Sequence, residues 1–351
     1  MEILQLMCKQ DASDLYLKAD RPPLLRIHGE VVRVKSEKLT SEQTEEIADL
    51  LMNDVQKVRF ARKPEINLMH HIPELGRFRV NIYKQRGTKS LVFRRVREDI
   101  QNIEALGLPQ VLKKIALAQR GLVLVSGPVG SGKSTTLAAM IEHINANRNG
   151  HILTIEDPIE FVYEDKNCIV SQRELGTDTN SFSDALKNAV RQAPDCILIG
   201  EMRDKESVSS SVFFAETGHL VLSTLHSTNA IQALERAVNF FPGEMHDELY
   251  ILLSLNMHAI VSQRLIPHKD GKGRVPAVEV LINNARFSEL LRQGEFSTIR
   301  KEIDFFNNEG MQSMDTALLQ LYKQDLITSE TALAYADSPN DLRIRIKTSA
   351  K

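Results

Sequence analysis

GLVLVSGPVGSGKSTTLAAMIEHI, residues 121–144, sets a short apolar run against a glycine-rich loop and then a helical pattern. Gly127, Pro128, Val129, Gly130, Ser131, Gly132, Lys133, Ser134 and Thr135 make up the loop and the turn that follows it. Glycines let successive amides turn inward around phosphate oxygens, and the helix amino terminus adds its positive end. Lys133 is then placed to bridge terminal phosphates, and Ser134 to ligate Mg²⁺. An ordinary glycine turn is the alternative; a strand before and a helix after favour a nucleotide site.

Outward from this loop the pattern repeats. GLVLVS, HILTIE, CILIGE and HLVLSTL are short apolar runs with helical patterns after the first, third and fourth, which predicts a parallel sheet with crossover helices. Residues 1–98 read as a small α+β domain, with strand-like alternation in SDLYLK, LLRIHGEVVRV, RFRVNIYKQ and KSLVFRRV. SEQTEEIADLLMN (41–53) reads there as a helix with an N-cap serine. A hinge and linker helix are expected over 99–120, the α/β core over 121–284, and a helical region over 285–351, from FSELLRQ, TIRKEIDFFNN, MDTALLQLYKQ and ITSETALAYA.

Bulk properties narrow the function. With 351 residues, two domains are expected, and 44 Lys plus Arg against 46 Asp plus Glu leave a net charge of −2. That balance argues against a dedicated nucleic-acid binder. The 3 cysteines are never paired as CxxC, so reduced structural thiols and no zinc module are expected. The amino terminus has no signal-peptide pattern, and the longest apolar window, YILLSLNMHAIV from Tyr250, is broken by Ser254, Asn256 and His258, so no membrane span is expected.

Three further segments carry chemistry. CILIGEMRD (196–204) delivers Glu201 to the tip of an apolar strand, expected next to the phosphate-loop strand, where it could polarise an attacking water. A glycine, Gly200, precedes it where many nucleotide hydrolases place an aspartate. A solvated strand-end acid is the alternative for Glu201. TIEDPIEF (154–161) clusters Glu156, Asp157 and Glu160, and Glu160 is the candidate for holding the metal or its waters, unless this is a plain acidic loop. TGHLVLSTLHSTNA (217–230) carries His219 at its start and His226 at its end; His226 is the candidate γ-phosphate sensor, and His219 is open between packing and function.

Taken together, GPVGSGKST, TIEDPIEF, LIGEMRD and TGHLVLSTLH resemble the phosphate loop, Asp box, Walker B and His box of the secretion and type IV pilus ATPases. The family's Walker B carries GE, which by analogy accounts for Gly200. The resemblance covers nearly the whole chain and implies a RecA-like P-loop ATPase domain, a PAS-like amino-terminal domain and a helical carboxyl-terminal tail. The chain is similar to the PilT/PilU pilus-retraction branch. RFSELLRQGE (286–295) departs from the PilT-type motif AIRNLIREGK at Ser288 and Glu295, which favours the PilU type.

The resemblance implies ATP and Mg²⁺ as ligands and a homo-hexamer. It also implies a PilT-type ATPase and an inner-membrane pilus platform protein as partners, and a cytoplasmic place at the pilus base. It further implies that Arg79, Arg94 and Arg191 point into a neighbour's site, with Arg77 a weaker candidate and Ser209 standing where the family has another arginine. For Arg79 and Arg94, a solvated basic strand face is the alternative. A nucleic-acid motor, hinted at only by FRRVRE (93–98), and a non-catalytic ATP-binding assembly factor are the competing functions; a small-molecule kinase is the least favoured.

Overall fold

In the computed structural model, residues 2–27, 29–96, 99–303 and 310–349 are described. The end of FRRVRE and residues 304–308 of the expected TIRKEIDFFNN helix lie outside them. The chain divides into two compact units: residues 1–99 with 160–162, and residues 100–159 with 163–351.

The first unit contains α1 (Glu2–Lys9), β1 (Asp14–Leu17), β2 (Leu24–Ile27), β3 (Glu30–Arg33), α2 (Ser41–Leu51), α3 (Asp54–Arg62), β4 (Glu65–Ile72), β5 (Gly76–Gln85) and β6 (Thr88–Arg95). Its six strands form one sheet in the order β3-β2-β1-β6-β5-β4, antiparallel throughout. LLRIHGEVVRV is thus two strands, and α1, α3 and β4 are additions to the sequence expectation. Thr40, not Ser41, caps α2, accepting from Gln43 N while the Gln43 side chain reaches back to Thr40 N. Phe78, Leu15, Leu25 and Ile82 fill the core beneath this sheet.

The second unit runs α4 (Val111–Ala116), β7 (Gly121–Ser126), α5 (Lys133–Asn147), β8 (Gly150–Glu156), β9 (Cys168–Glu174), α6 (Phe182–Ala189), β10 (Cys196–Ile199), α7 (Lys205–Glu216), β11 (Leu220–Leu225), α8 (Ala230–Val238) and α9 (His246–Asn256). It continues with β12 (Met257–Pro267), β13 (Arg274–Ile282), α10 (Ala285–Arg292), α11 (Phe296–Glu302), α12 (Met314–Lys323), α13 (Ser329–Tyr335) and α14 (Pro339–Ser349). The sheet order is β13-β12-β7-β11-β10-β8-β9. Only the β12–β13 pair is antiparallel; the other pairs are parallel.

Every residue of β7, β10 and β11 is buried, which is why these strands read as unbroken apolar runs. The apolar window from Tyr250 divides at Asn256, where α9 ends and β12 begins. Along β12 the pairing with β7 slips by one residue between Met257 and Ala259, a bulge at His258.

One placement differs from the sequence expectation. β10, which leads into Glu201, does not neighbour β7: β11 lies between them and brings His226 to the phosphate loop.

Candidate nucleotide site

Lys133 opens α5, and the residue before it, Gly132, has φ +88°. Gly127 and Gly130, at φ +152° and +77°, complete the reversals that turn the loop back on itself. The buried Lys133 Nζ donates to Gly127 O at 2.9 Å and Pro128 O at 3.0 Å, and contacts His226 Nδ1 at 3.1 Å. An ammonium has no lone pair, so Nδ1 accepts and Nε2 carries the imidazole proton. Nε2 lies 3.2 Å from Glu201 Oε1. Arg203 Nε donates to the other oxygen, Glu201 Oε2, at 2.8 Å, and Arg203 Nη1 to Asp157 Oδ2 at 2.9 Å. Four strand ends thus supply a continuous chain, Lys133–His226–Glu201–Arg203–Asp157.

The arginine is held in turn. Arg203 N donates to Ser207 Oγ at 3.1 Å, and Asp204 caps α7 by accepting from Ser207 N at 2.8 Å. Glutamate engagement raises the Arg203 pKa, chiefly through its hydrogen bond to Glu201. Nothing in the sequence pattern marks Arg203 as part of the site; its proximity to Asp157 depends on β8 and β10 being paired.

The loop fits a phosphate. Ser131 Oγ is buried with no hydrogen-bond partner among the described residues, a donor that a phosphate oxygen would satisfy. Pro128, Val129, His226, Thr228, Glu235 and Arg236 line a cavity of about 730 Å³ beside it, a size suited to a small-molecule ligand. Ser134 follows Lys133 in the first turn of α5. Among the described residues no group of three or more His, Cys, Asp or Glu could hold a metal ion. Magnesium at a nucleotide site is usually held jointly with phosphate oxygens and one or two side chains.

Of the other acids in TIEDPIEF, Glu156 is buried and accepts from Thr154 Oγ1 at 2.6 Å and Gln172 Nε2 at 3.2 Å. Glu160 is exposed and sorts with the first compact unit. The second unit by itself brings Glu201, not Glu160, towards Lys133.

The two histidines of the fourth apolar run separate cleanly. His219 lies at the amino end of β11, its backbone O accepting from Gly121 N at 3.0 Å and its Nδ1 lying 3.0 Å from Phe214 O. It packs edge-on against Phe214 at 5.4 Å, at the sheet edge remote from Lys133. His219 thus packs against Phe214 and does not join the chain of contacts from Lys133 to Asp157.

Arg191 sits in a short 3₁₀ turn, Val190–Gln192, and is exposed. The turn is fixed to the amino end of β8: His151 Nδ1 lies 3.0 Å from Gln192 O, and Asp195 N donates to His151 O at 2.8 Å. His151 and Glu156 are separated by a strand run of roughly 16 Å. Arg191 is therefore at the opposite sheet edge from its own phosphate loop. In the first unit, Arg79 and Arg94 pair across β5 and β6. Arg94 Nε donates to the buried Asp14 at 2.8 Å, so its head is held rather than merely solvated.

Residues missed by sequence reasoning lie on β12. Gln263 Nε2 donates to Ser131 O at 2.8 Å, and Thr136 Oγ1 donates to Gln263 Oε1 at 2.6 Å. Ser126 and Ser262 hydroxyls are also hydrogen-bonded across β7 and β12.

The chain is similar to known proteins over nearly all its length. Residues 1–317 match the family described as Type II/IV secretion system protein. The type IV pilus ATPase PilU of Pseudomonas aeruginosa is 48% identical over 346 residues, 99% of this chain and 91% of that protein. The type IV pilus retraction ATPase PilT of the same organism is 42% identical over 340 residues, 97% and 98% of the two chains. A crystal structure of the pilus retraction motor PilT with bound ADP superposes with a TM-score of 0.92 at 40% identity, covering 98% of each chain.

Proposed function

The chain belongs to the type II/IV secretion-system protein family, and from that premise we propose that it is an ATP-hydrolysing motor subunit of type IV pilus retraction, of the PilU type. The observation that carries the reading is the contact chain from Lys133 through His226 to Glu201. A phosphate-binding cation, a neutral imidazole and a carboxylate base are joined end to end, so a change at the phosphates reaches the base through one ring.

In this reading the loop amides, Ser131 and Lys133 bind the phosphates, with Val129, Ser134 and Thr135 completing the loop. Glu201, oriented by His226 and Arg203, takes the proton of the attacking water. Ser134 and the phosphates would hold Mg²⁺, which would supply charge neutralisation there; Glu160 is proposed to hold its waters. Arg191 cannot serve its own phosphates across the sheet, which supports a role in a neighbour's site, and Arg79 and Arg94 are assigned the same role. Six copies in a ring would supply such neighbours. A PilT-type ATPase and the inner-membrane platform protein are the proposed partners, at the cytoplasmic base of the pilus; among the described residues no helix is long and apolar enough to cross a membrane.

Glu201→Gln tests the reading. Losing a general base costs about 10²–10⁴-fold in turnover, while ADP affinity should stay within about threefold because Glu201 is not part of the loop. ATP turnover within about threefold of wild type would remove Glu201 as the base, and a wild-type chain that binds ADP but turns over no ATP would leave the assembly-factor reading.

A further inference from the structure

Two consecutive residues of β12 reach the two loops that meet at Lys133. Gln263 is buried and holds the phosphate loop through Ser131 O and the first turn of α5 through Thr136 Oγ1, at 2.8 and 2.6 Å. A Cβ on Gly127 would stand 2.4 Å from Gln263 O, and one on Gly132 would stand 2.8 Å from Gln263 Nε2. Gly127 is thus required by the backbone of this strand as well as by its own angle, whereas at Gly132 the end of the Gln263 side chain would have to yield.

Arg264, on the alternate side of the strand, holds the other loop. Its Nη2 donates to Thr228 O at 2.9 Å and to Asp337 Oδ1 at 2.6 Å, and its Nη1 donates to Tyr335 O at 2.6 Å. Thr228 lies two residues beyond His226. Asp337 lies between α13 and α14 and is fixed by Asp315, which accepts from Asp337 N at 2.7 Å and Ser338 N at 2.9 Å. The buried Glu279 on β13 adds a second clamp on the same loop, accepting from Ala230 N at 2.7 Å.

We propose that Gln263 and Arg264 are positioning residues with separate duties: Gln263 sets the shape of the phosphate loop and so nucleotide affinity, while Arg264 sets the placement of His226 and so turnover, tying it to the α13–α14 junction. The inference rests on the reading of this site as an ATP site. A planar guanidinium can satisfy two carbonyls and a carboxylate in one fixed geometry, which a lysine ammonium on a flexible stem cannot.

The test uses the full chain and three readouts: titration with a fluorescent ADP, steady-state ATP kinetics, and thermal unfolding. Gln263→Glu keeps the acceptor for Thr136 but sets an oxygen against Ser131 O. Leaving buried polar groups unmatched in this way should weaken ADP binding about 10- to 100-fold and raise KM, with kcat within about threefold. Arg264→Lys should lower kcat about tenfold or more and leave ADP affinity within about threefold.

Should Gln263→Glu fail to fold, Thr136→Val probes the same contact and should also weaken ADP binding. Asp337→Asn does the same for Arg264 and should lower kcat. The proposal is overturned if the folded Gln263 variant binds ADP like wild type, if both variants move the same kinetic parameter, or if only the melting temperature changes. Wild-type protein that binds no ADP would instead sink the ATP-site reading beneath it.

Discussion

Gly200 precedes the catalytic candidate, and the structure says why a larger residue is disfavoured there. A Cβ built there would stand 3.3 Å from Ile155 O, 3.4 Å from Glu156 Cα and 3.8 Å from Asp157 N. The carbonyl it meets is not free to retreat, because Ile155 O accepts from Gly200 N at 2.9 Å and β8 is paired on both sides, by β10 and β9. Gly200→Ala should therefore push the tip of β8 by a few tenths of an ångström. Overpacking of this kind costs about 1–3 kcal/mol, and a single methyl belongs at the lower end, a fall of about 2–4 °C in Tm. Aspartate adds a carboxylate beside Glu156 and Asp157 and belongs at the upper end.

The same displacement reaches the chemistry. Asp157 sits on the tip that moves and holds Arg203 at 2.9 Å, which holds Glu201 at 2.8 Å. Turnover should fall about tenfold in the alanine variant, since misplacement by 1 Å can cost about a hundredfold. ADP affinity should be unaffected, because β11 separates β10 from the strand that leads into the phosphate loop. Thermal unfolding, ATP kinetics and ADP titration on Gly200→Ala and Gly200→Asp measure all three. Wild-type stability and turnover in the alanine variant, or faster turnover in the aspartate variant, would refute the crowding argument.

Burial raises the Glu279 carboxyl pKa from 4.5 to about 7, the hydrogen bond from Ala230 N and the nearby Arg264 and Arg300 only partly opposing it. The native state then holds a proton that the unfolded chain releases, so this group's contribution is fully present below about pH 4.5 and is lost as pH rises through 7. Glu279→Gln should gain up to about 3 kcal/mol over wild type at pH 8, and a stability difference that stays constant between pH 5 and 8 would refute this. Arg191→Ala and Glu201→Gln, each at least tenfold slower alone, should recover turnover when mixed, because mixed assemblies contain sites with an intact base from one copy and an intact arginine from another; a mixture no faster than the sum of its parts would place Arg191 outside the reaction.

The phosphate loop, Glu201 and His226 were legible in the sequence because each sits at the end of an apolar strand, where side-chain type and position are visible without knowing the neighbours. Strand order was not visible. It decides that His226 lies between Lys133 and Glu201, and that Arg203 meets Asp157, 46 residues away in the chain. β12 hid for a different reason: MHAIVSQRLIP carries a serine, a glutamine and an arginine in a strand whose middle is buried, and polar residues in such a run read as interruptions until their partners are known. α3 was equally obscure, since Phe60 is its one buried residue among those described and it leaves no amphipathic stripe. His219 and His226 show the limit of type alone: seven residues apart on one strand segment, they end at opposite rims of the sheet.

The bulge at His258 sets the phase of everything downstream on β12. Side chains on a strand alternate, so one residue of slack at its start determines which of two successive side chains looks towards the phosphates. Drawing His258 into the ladder with Met257 held opposite Leu122 would advance the partner of every later residue by one and put Ser262 in the place of Gln263 beneath the loop. The shape of the phosphate loop and the placement of His226 thus depend on a count of residues made five and six positions upstream, at the start of the strand.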